Sequence, residues 1–335
     1  MFRRIVSVLV VLSLSVSMLI GSIISYAAVT PSAVSFADAT KTTTKKLAEG
    51  VMYTQTTVAA NKPLGGSSGL EYNIVEIDMS AENLCIDNVY GGNRSTHANK
   101  TGTTIISDFA NKNTDLTPLA AINADLWWVN IKSAEEIAHN NEKLLDTNRS
   151  YKFSLGFTMS DGEIYTSDRM PQEHFMSRNG AQPLYYEDYM SFGITSDNIP
   201  VISNPDAIVT IKNTTKGTTA QADGINRLPA YNSLVMYTDK GPLDNYSNTD
   251  ALEIVIDITS VPDYVIKHGT SISGKVIGIY DSGDSTDPTM NLDSNQIILT
   301  ARGDRTSLLS KYALNDVIKI DVSVYDQWGK YTKEW

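Results

Sequence analysis

The stretch LAAINADLWW, residues 119–128, places an amide (Asn123) and a carboxylate (Asp125) between an apolar run and two tryptophans. Leu119 to Ile122 reads as a short buried strand, so the polar pair falls where that strand ends. Asn and Asp in such a place commonly close a turn through side-chain bonds to the backbone. They also suit a ligand site. Asp125 could activate water or stabilise a developing positive charge, and Asn123 could orient a hydroxyl. An indole face could pack on a flat or cyclic ligand. Adjacent strand residues point to opposite faces, so at most one of Trp127 and Trp128 does this, and Trp127 is the candidate.

Other chemically able residues are sparse. Cys85 is the only cysteine, which excludes an internal disulfide and a cysteine-rich zinc site. Within NLCIDNVY it reads as a small core residue. The four histidines, His97, His139, His174 and His268, share no metal-ligand spacing. The loop DSGDSTDPTMNLD offers Asp281, Asp284, Asp287 and Asp293 to calcium, yet it lacks the alternation and closing glutamate of an EF-hand loop. It reads as a solvated hairpin loop, and no cofactor is required on sequence grounds. ARGDR is treated as a chance tripeptide, and the tyrosines of PLYYEDYM as cover for a core edge.

A chain of 335 residues, 41% hydrophobic and 19% charged, is long enough for one large core or two modest ones. Its first 27 residues put Arg3 and Arg4 ahead of an apolar run and end in SYAA, the pattern of a secretory signal cleaved after Ala27. An uncleaved anchor is the alternative. Either places the body of the protein outside the cytoplasm, secreted or envelope-associated, with membrane contact only through this segment. Without Arg3 and Arg4 the balance is 25 basic against 38 acidic residues, −13 in place of −11. No basic stripe forms, which argues against nucleic acid as a partner.

Residues 28–46 are rich in Thr, Ser, Ala and Lys and read as a disordered linker, with a folded domain over 47–335. Strand-like alternation dominates that domain. Val75, Ile77 and Met79 share a face, as do Leu252, Ile254, Ile256 and Ile258, and again Ile318, Ile320, Val322 and Val324. KVIGIYD and QIILTARG add two strands. Helices are expected in TTIISDFANKN, capped by Thr103 or Thr104, in SAEEIAHNNEKLL, and in DRTSLLSKYAL. The expected class is α+β, a predominantly antiparallel sheet with a few packed helices.

The order of these signals resembles a known family. GVMYTQ, a strand ending in EIDM, GGNRST, and TTIISDFA before AAINAD are similar to the phosphodiester glycosidase family. One member removes N-acetylglucosamine from a phosphodiester on mannose. FTMSDGEIYTS resembles that family's DG hairpin, FGITSDNIPVISNP its FGI strand pair, and INRLPAYNSLVMYTDKG a segment common in bacterial members. Together these motifs span residues 50–240.

Two departures stand out. Ala124-Asp125 replaces the family's Gly-Gly, and the closing RT strand and DGGGS loop have no counterpart before Trp335. The expectation is a fragment, or a natural variant lacking part of the site.

The resemblance implies a secreted hydrolase that cleaves a sugar–phosphate linkage in envelope or exported polysaccharide. Breaking a sugar C1–O bond passes through an oxocarbenium-like state. A phosphate leaving group departs as a stable anion, so a cation clamp matters more than a general acid. The planar fork of arginine suits that clamp. Arg94 and Arg227, beside Asn93 and Asn226, are the candidates, with His97 as a further substrate contact and Asn123 and Asp125 as the catalytic pair. The rival class is a non-catalytic envelope-binding or exopolysaccharide-assembly module that keeps the fold. An ordinary two-carboxylate glycoside hydrolase has only Asp125 in view.

Overall fold

The computed structural model describes residues 36–89, 100–122, 156–168, 190–197, 199–227, 232–241, 251–258, 261, 263–281 and 292–326. The chain divides into two compact units, Met1–Cys85 and Ile86–Trp335.

The first unit is a three-stranded antiparallel sheet of β1 (Ala39–Ala48), β2 (Val51–Val58) and β3 (Leu70–Ile77), in that order. Gly50, at φ +71, makes the tight turn between β1 and β2, and a side chain there would meet Ala81. Central β2 buries Val51, Thr54, Thr56 and Val58. Cross-strand bonds tie its other residues down, with Gln55 Nε2 donating to Glu71 Oε1 at 2.9 Å. The first described strand therefore begins at Ala39, ahead of the domain start expected at Leu47. The Thr/Lys-rich run expected as linker is instead the edge strand of a hairpin. β3 is the other edge, which is why Val75 is half-buried and Ile77 is 37% exposed rather than both lying under a core.

In the second unit α1 (Gly102–Lys112) is capped by Thr101, whose hydroxyl accepts from the Thr104 amide at 3.2 Å. The cap lies two residues before the expected Thr103. The described strands are β4 (Thr158–Ser160), β5 (Glu163–Asp168), β6 (Ser191–Ile194), β7 (Pro200–Ser203), β8 (Pro205–Asn213), β9 (Thr218–Ala222), β10 (Gly224–Ile225), β11 (Leu234–Tyr237), β12 (Ala251–Asp257), β13 (Ser271–Asp281), β14 (Gln296–Arg302) and β15 (Val317–Asp326). Ten of them form one sheet in the order β4-β5-β10-β11-β14-β12-β13-β15-β8-β9. β10 and β11 run parallel, which makes the sheet mixed, and β6 pairs with β7 as a separate hairpin. Asp161 and Gly162, at φ 49 and 77, form the two-residue turn joining β4 to β5.

One face of the large sheet carries the core. Ile254, Ile256 and Ile258 share it with Ile318, Ile320, Val322 and Val324, as their alternation requires. Ile297, Leu299 and Ala301 lie on it too. The sheet curls, so that β9 approaches β11 and β5 approaches β8 within 8 Å between Cα atoms. Among the described residues the core is thus wrapped by the sheet itself.

This overturns the α+β expectation. The protein is mostly β with one large mixed sheet. Among the described residues α1 buries no side chain, and the segment expected as a helix at DRTSLLSKYAL is a 3-10 turn (Gly303–Arg305) followed by one helical turn, α2 (Thr306–Leu309). Hydroxyls of Thr306, Ser307 and Ser310 bond to backbone carbonyls there, competing with helix propagation. Leu309 and Tyr312 still reach the core. SAEEIAHNNEKLL lies outside the described residues. Ile256→Ala, at the centre of the wrapped core, is expected to cost about 2–5 kcal/mol in urea denaturation, against under ~0.5 kcal/mol for Ser273→Ala on the wet face.

Candidate functional site

Most of the proposed site falls outside the described residues: Asn123, Asp125, Trp127 and Trp128, and likewise Arg94 and His97. The approach to Asn123 differs from expectation. Leu119–Ile122 forms no strand, and Ile122 is 84% exposed, so no buried strand leads into the polar pair. Cys85 is exposed rather than in the core. Asp281 ends β13 and Asp293 is exposed, while Asp284 and Asp287 lie outside the described residues. Among the described residues no group of three or more His, Cys, Asp or Glu could hold a metal ion. Arg302 of the RGD tripeptide is 1% exposed while Asp304 is exposed, so the two side chains are not presented together.

Arg227 is described, and its surroundings are built closely. Asn226, just past β10, sits in the left-handed region at φ 50 and is fully buried. Its Nδ2 donates to the Tyr165 carbonyl and to Thr238 Oγ1, both at 2.9 Å, and its Oδ1 accepts from the Thr238 amide at 2.8 Å. One side chain thereby holds the start of β5, the end of β10 and the end of β11 together. Gly241 passes so near that an added Cβ would lie 2.7 Å from Asn226 Oδ1. Arg227 then folds back over Gly224, whose Cβ would lie 2.2 Å from Arg227 Cδ. The hydroxyl of Tyr237 donates to the Arg227 carbonyl.

The sheet face opposite the core is not uniform. Across β13, β15 and β8 it is wet, with Lys275 and Lys212 exposed and Lys319 partly exposed. Across β11, β14 and β12 it is buried, and there it carries Tyr237, Glu253, Thr300 and Arg302. Glu253 and Thr300 stand opposite one another, and Thr300 Oγ1 donates to Glu253 Oε1 at 2.8 Å. Burial pushes the Tyr237 hydroxyl well up, and Glu253 adds to this, while Arg227 and Arg302 oppose it. Burial pulls Arg227 down to about 9, against the attraction of Tyr237, which leaves it a cation at neutral pH. Tyr237 thus lies within electrostatic reach of two guanidiniums and a carboxylate in low dielectric. Sequence reasoning found Arg227 and missed the other three. Their signal was a polar residue on the non-core phase of a strand that is otherwise apolar on both phases, as in ALEIVID and QIILTAR.

A second group sits at the sheet end that Asn226 organises. The turn after β11 presents Asp239 and Lys240, whose charged atoms are 3.3 Å apart with side chains 26% and 29% exposed. Glu163, at the start of β5, is partly buried. Burial pushes its carboxyl up, Lys240 pulls it down, and Asp239 pushes it up again, for a net rise. Burial works against the charge of Lys240, but Asp239 and Glu163 more than offset it, so its net shift is upward. The hydroxyl of Tyr264 donates to the Gln296 carbonyl at 3.0 Å, and burial pushes its pKa up.

No family model matches the chain, and no curated protein matches it. Among solved structures, a Burkholderia pseudomallei protein provisionally described as exported is similar in fold, with a TM-score of 0.54 and 12% identity over 91% of this chain and 73% of that one. A hypothetical protein from Synechocystis aligns at a TM-score of 0.49 and 12% identity, over 87% of this chain and 42% of that one. The first of these shows the fold alone.

Two expected outcomes follow from the site's construction. Asn226→Ala removes three bonds and leaves buried backbone groups without partners, and should cost about 3 kcal/mol or more by urea denaturation. Glu163 carries a raised folded-state pKa, so its contribution to stability is full below its unfolded value and lost as pH rises through the folded one. Glu163→Gln should therefore raise Tm at pH 7.5 and leave it little changed at pH 4.

Proposed function

We propose that this chain is an exported protein that cleaves a sugar–phosphate linkage, a phosphodiester glycosidase acting on envelope or exported polysaccharide. The observation that carries the reading is Arg227, partly exposed just past a strand end, where it folds back over Gly224 with its carbonyl held by the Tyr237 hydroxyl. A guanidinium partly withdrawn from bulk water binds phosphate oxygens through parallel charge-assisted bonds. Arg227 is also one of the two arginines, with Arg94, that the sequence offers as candidates for the phosphate. In this reading Arg227 clamps the departing phosphate, and Asn123 and Asp125 serve the sugar. Export rests on the N-terminal signal pattern, and the shared fold of a Burkholderia protein described as exported accords with it.

The rival, a non-catalytic envelope-binding module, draws support from Asp125 standing where the family has glycine. Incubating the purified protein with N-acetylglucosamine linked through phosphate to a methyl group distinguishes the two. Release of free sugar is the expected result, and Arg227→Lys, which keeps charge but loses the planar fork, should lower kcat/KM by about 10- to 100-fold. Binding of wall polysaccharide without turnover of any phosphodiester would instead establish the rival.

A further inference from the structure

A short segment between β12 and β13 runs across the core. Residues 263–270, DYVIKHGT, put Tyr264 and Ile266 into the core and leave Val265, Lys267 and His268 exposed. This strap is tied to three strands that are not neighbours in the sheet. Its Ile266 carbonyl accepts from the Ile164 amide of β5 at 2.7 Å, and its Tyr264 hydroxyl donates to the Gln296 carbonyl of β14 at 3.0 Å. At its far end it joins β15. There the Gly269 amide donates to the Val322 carbonyl at 2.9 Å, and the Val322 amide donates to the Thr270 carbonyl at 2.8 Å.

An antiparallel ladder would place the next donor of β15 on that side, the Val324 amide, against the carbonyl of residue 268. The strap turns before it can supply one. The Thr270 amide donates to the Lys267 carbonyl at 3.0 Å, the Lys267 amide donates to Thr270 Oγ1 at 2.9 Å, and Gly269 takes a left-handed φ of 81. His268 fills the gap with its side chain, whose Nδ1 accepts from the Val324 amide at 3.0 Å. A carbonyl accepts at every pH, but an imidazole nitrogen accepts only while it holds no proton. Val324 is 1% exposed, so losing that partner leaves its amide poorly placed to find water.

We propose that His268 is a pH-sensitive latch: the neutral imidazole ties the strap to β15, and proton uptake at Nδ1 releases it. Both nitrogens of the protonated ring are donors, so Nδ1 then meets the Val324 N–H donor to donor. The released form takes up a proton that the latched form excludes. The tie is therefore complete above the ordinary imidazole range, about pH 6.5, and is lost as pH falls through it. Release reaches the candidate site through β5, because Ile164 precedes Tyr165, whose carbonyl Asn226 holds beside Arg227. The latch does not depend on the glycosidase reading.

The charged and titratable groups on the elements against the strap are Asp263 and Lys267 on the strap, Glu163 on β5, and Asp321 and Tyr325 on β15. Tyr325 is bonded to Asp206 of β8, and Asp321 to Lys319 and Ser271. Among the described residues only the Val324 amide bonds the imidazole. Glu163, whose carboxyl is pushed up by burial, is the other group drawn toward neutral pH, and a substitution at His268 leaves it in place.

The experiment is backbone amide exchange of the protein by NMR at pH 7.5 and pH 5.0, expressed as protection factors so that the intrinsic pH dependence of exchange cancels. In the wild type, Val324 protection should fall about 10-fold at the lower pH, and Ile164 protection should fall with it. His268→Asn keeps an acceptor oxygen near the Nδ1 position but does not titrate, and should hold Val324 protection level. His268→Ala should show low protection at both pH values. Equal wild-type protection at the two pH values overturns the latch. So does an equal fall in His268→Asn, which would assign the effect to another group such as Glu163. Imidazole nitrogen-15 shifts of the wild type need no variant: a bare Nδ1 at pH 7.5 is expected, and a proton on Nδ1 there overturns the proposal.

Discussion

The second unit is organised around the buried side chain of Asn226. β10 and β11 run parallel, and a parallel pair cannot be joined by a tight hairpin. Where these two strands leave the sheet, their ends lack the continuous ladder that a hairpin would provide. Asn226 supplies that closure with both faces of its amide, donating twice and accepting once. Its left-handed backbone is what aims the amide inward, and asparagine tolerates that conformation better than most residues. Gly241 is small because the amide leaves no room for more.

Two chemical environments follow from that closure, one on either side of it. Arg227, the next residue, is turned back over Gly224 into a dry group with Tyr237, Glu253 and Arg302. The Thr238–Gly241 turn is directed outward and sets Asp239 and Lys240 near Glu163, where solvent reaches them. In the dry group charges interact strongly, and the cost of burying them requires that they be paired or hydrogen-bonded. In the open group, interactions are weaker but protons can come and go.

The strands were readable in the sequence wherever one face meets the core. Ile254, Ile256 and Ile258, and the run from Ile318 to Val324, lie on the predicted face because alternation is a property of the strand itself. The reading was poorer at edges. The Thr/Lys-rich run of β1 carries no apolar stripe, since an edge strand exposed to water needs none, and so it passed for linker. Helical spacing in DRTSLLSKYAL described which side chains share a side, which Leu309 and Tyr312 do. It could not tell a helix from a turn that brings them to the same core.

Of the site, the sequence by itself determined the residue types available: one cysteine, scattered histidines, an acidic balance, and an arginine following an asparagine near a strand end. It marked Arg227 because spacing within a short segment is local. Only the tertiary structure decided that Arg227 meets Tyr237, Glu253 and Arg302, and that Glu163 meets Lys240. Those partners come from strands far apart in the chain, joined by a non-sequential sheet order. Register and curling, which place residues on one face and decide which of them stay wet, are fixed by the pairing of whole strands and not by any stretch of sequence taken alone.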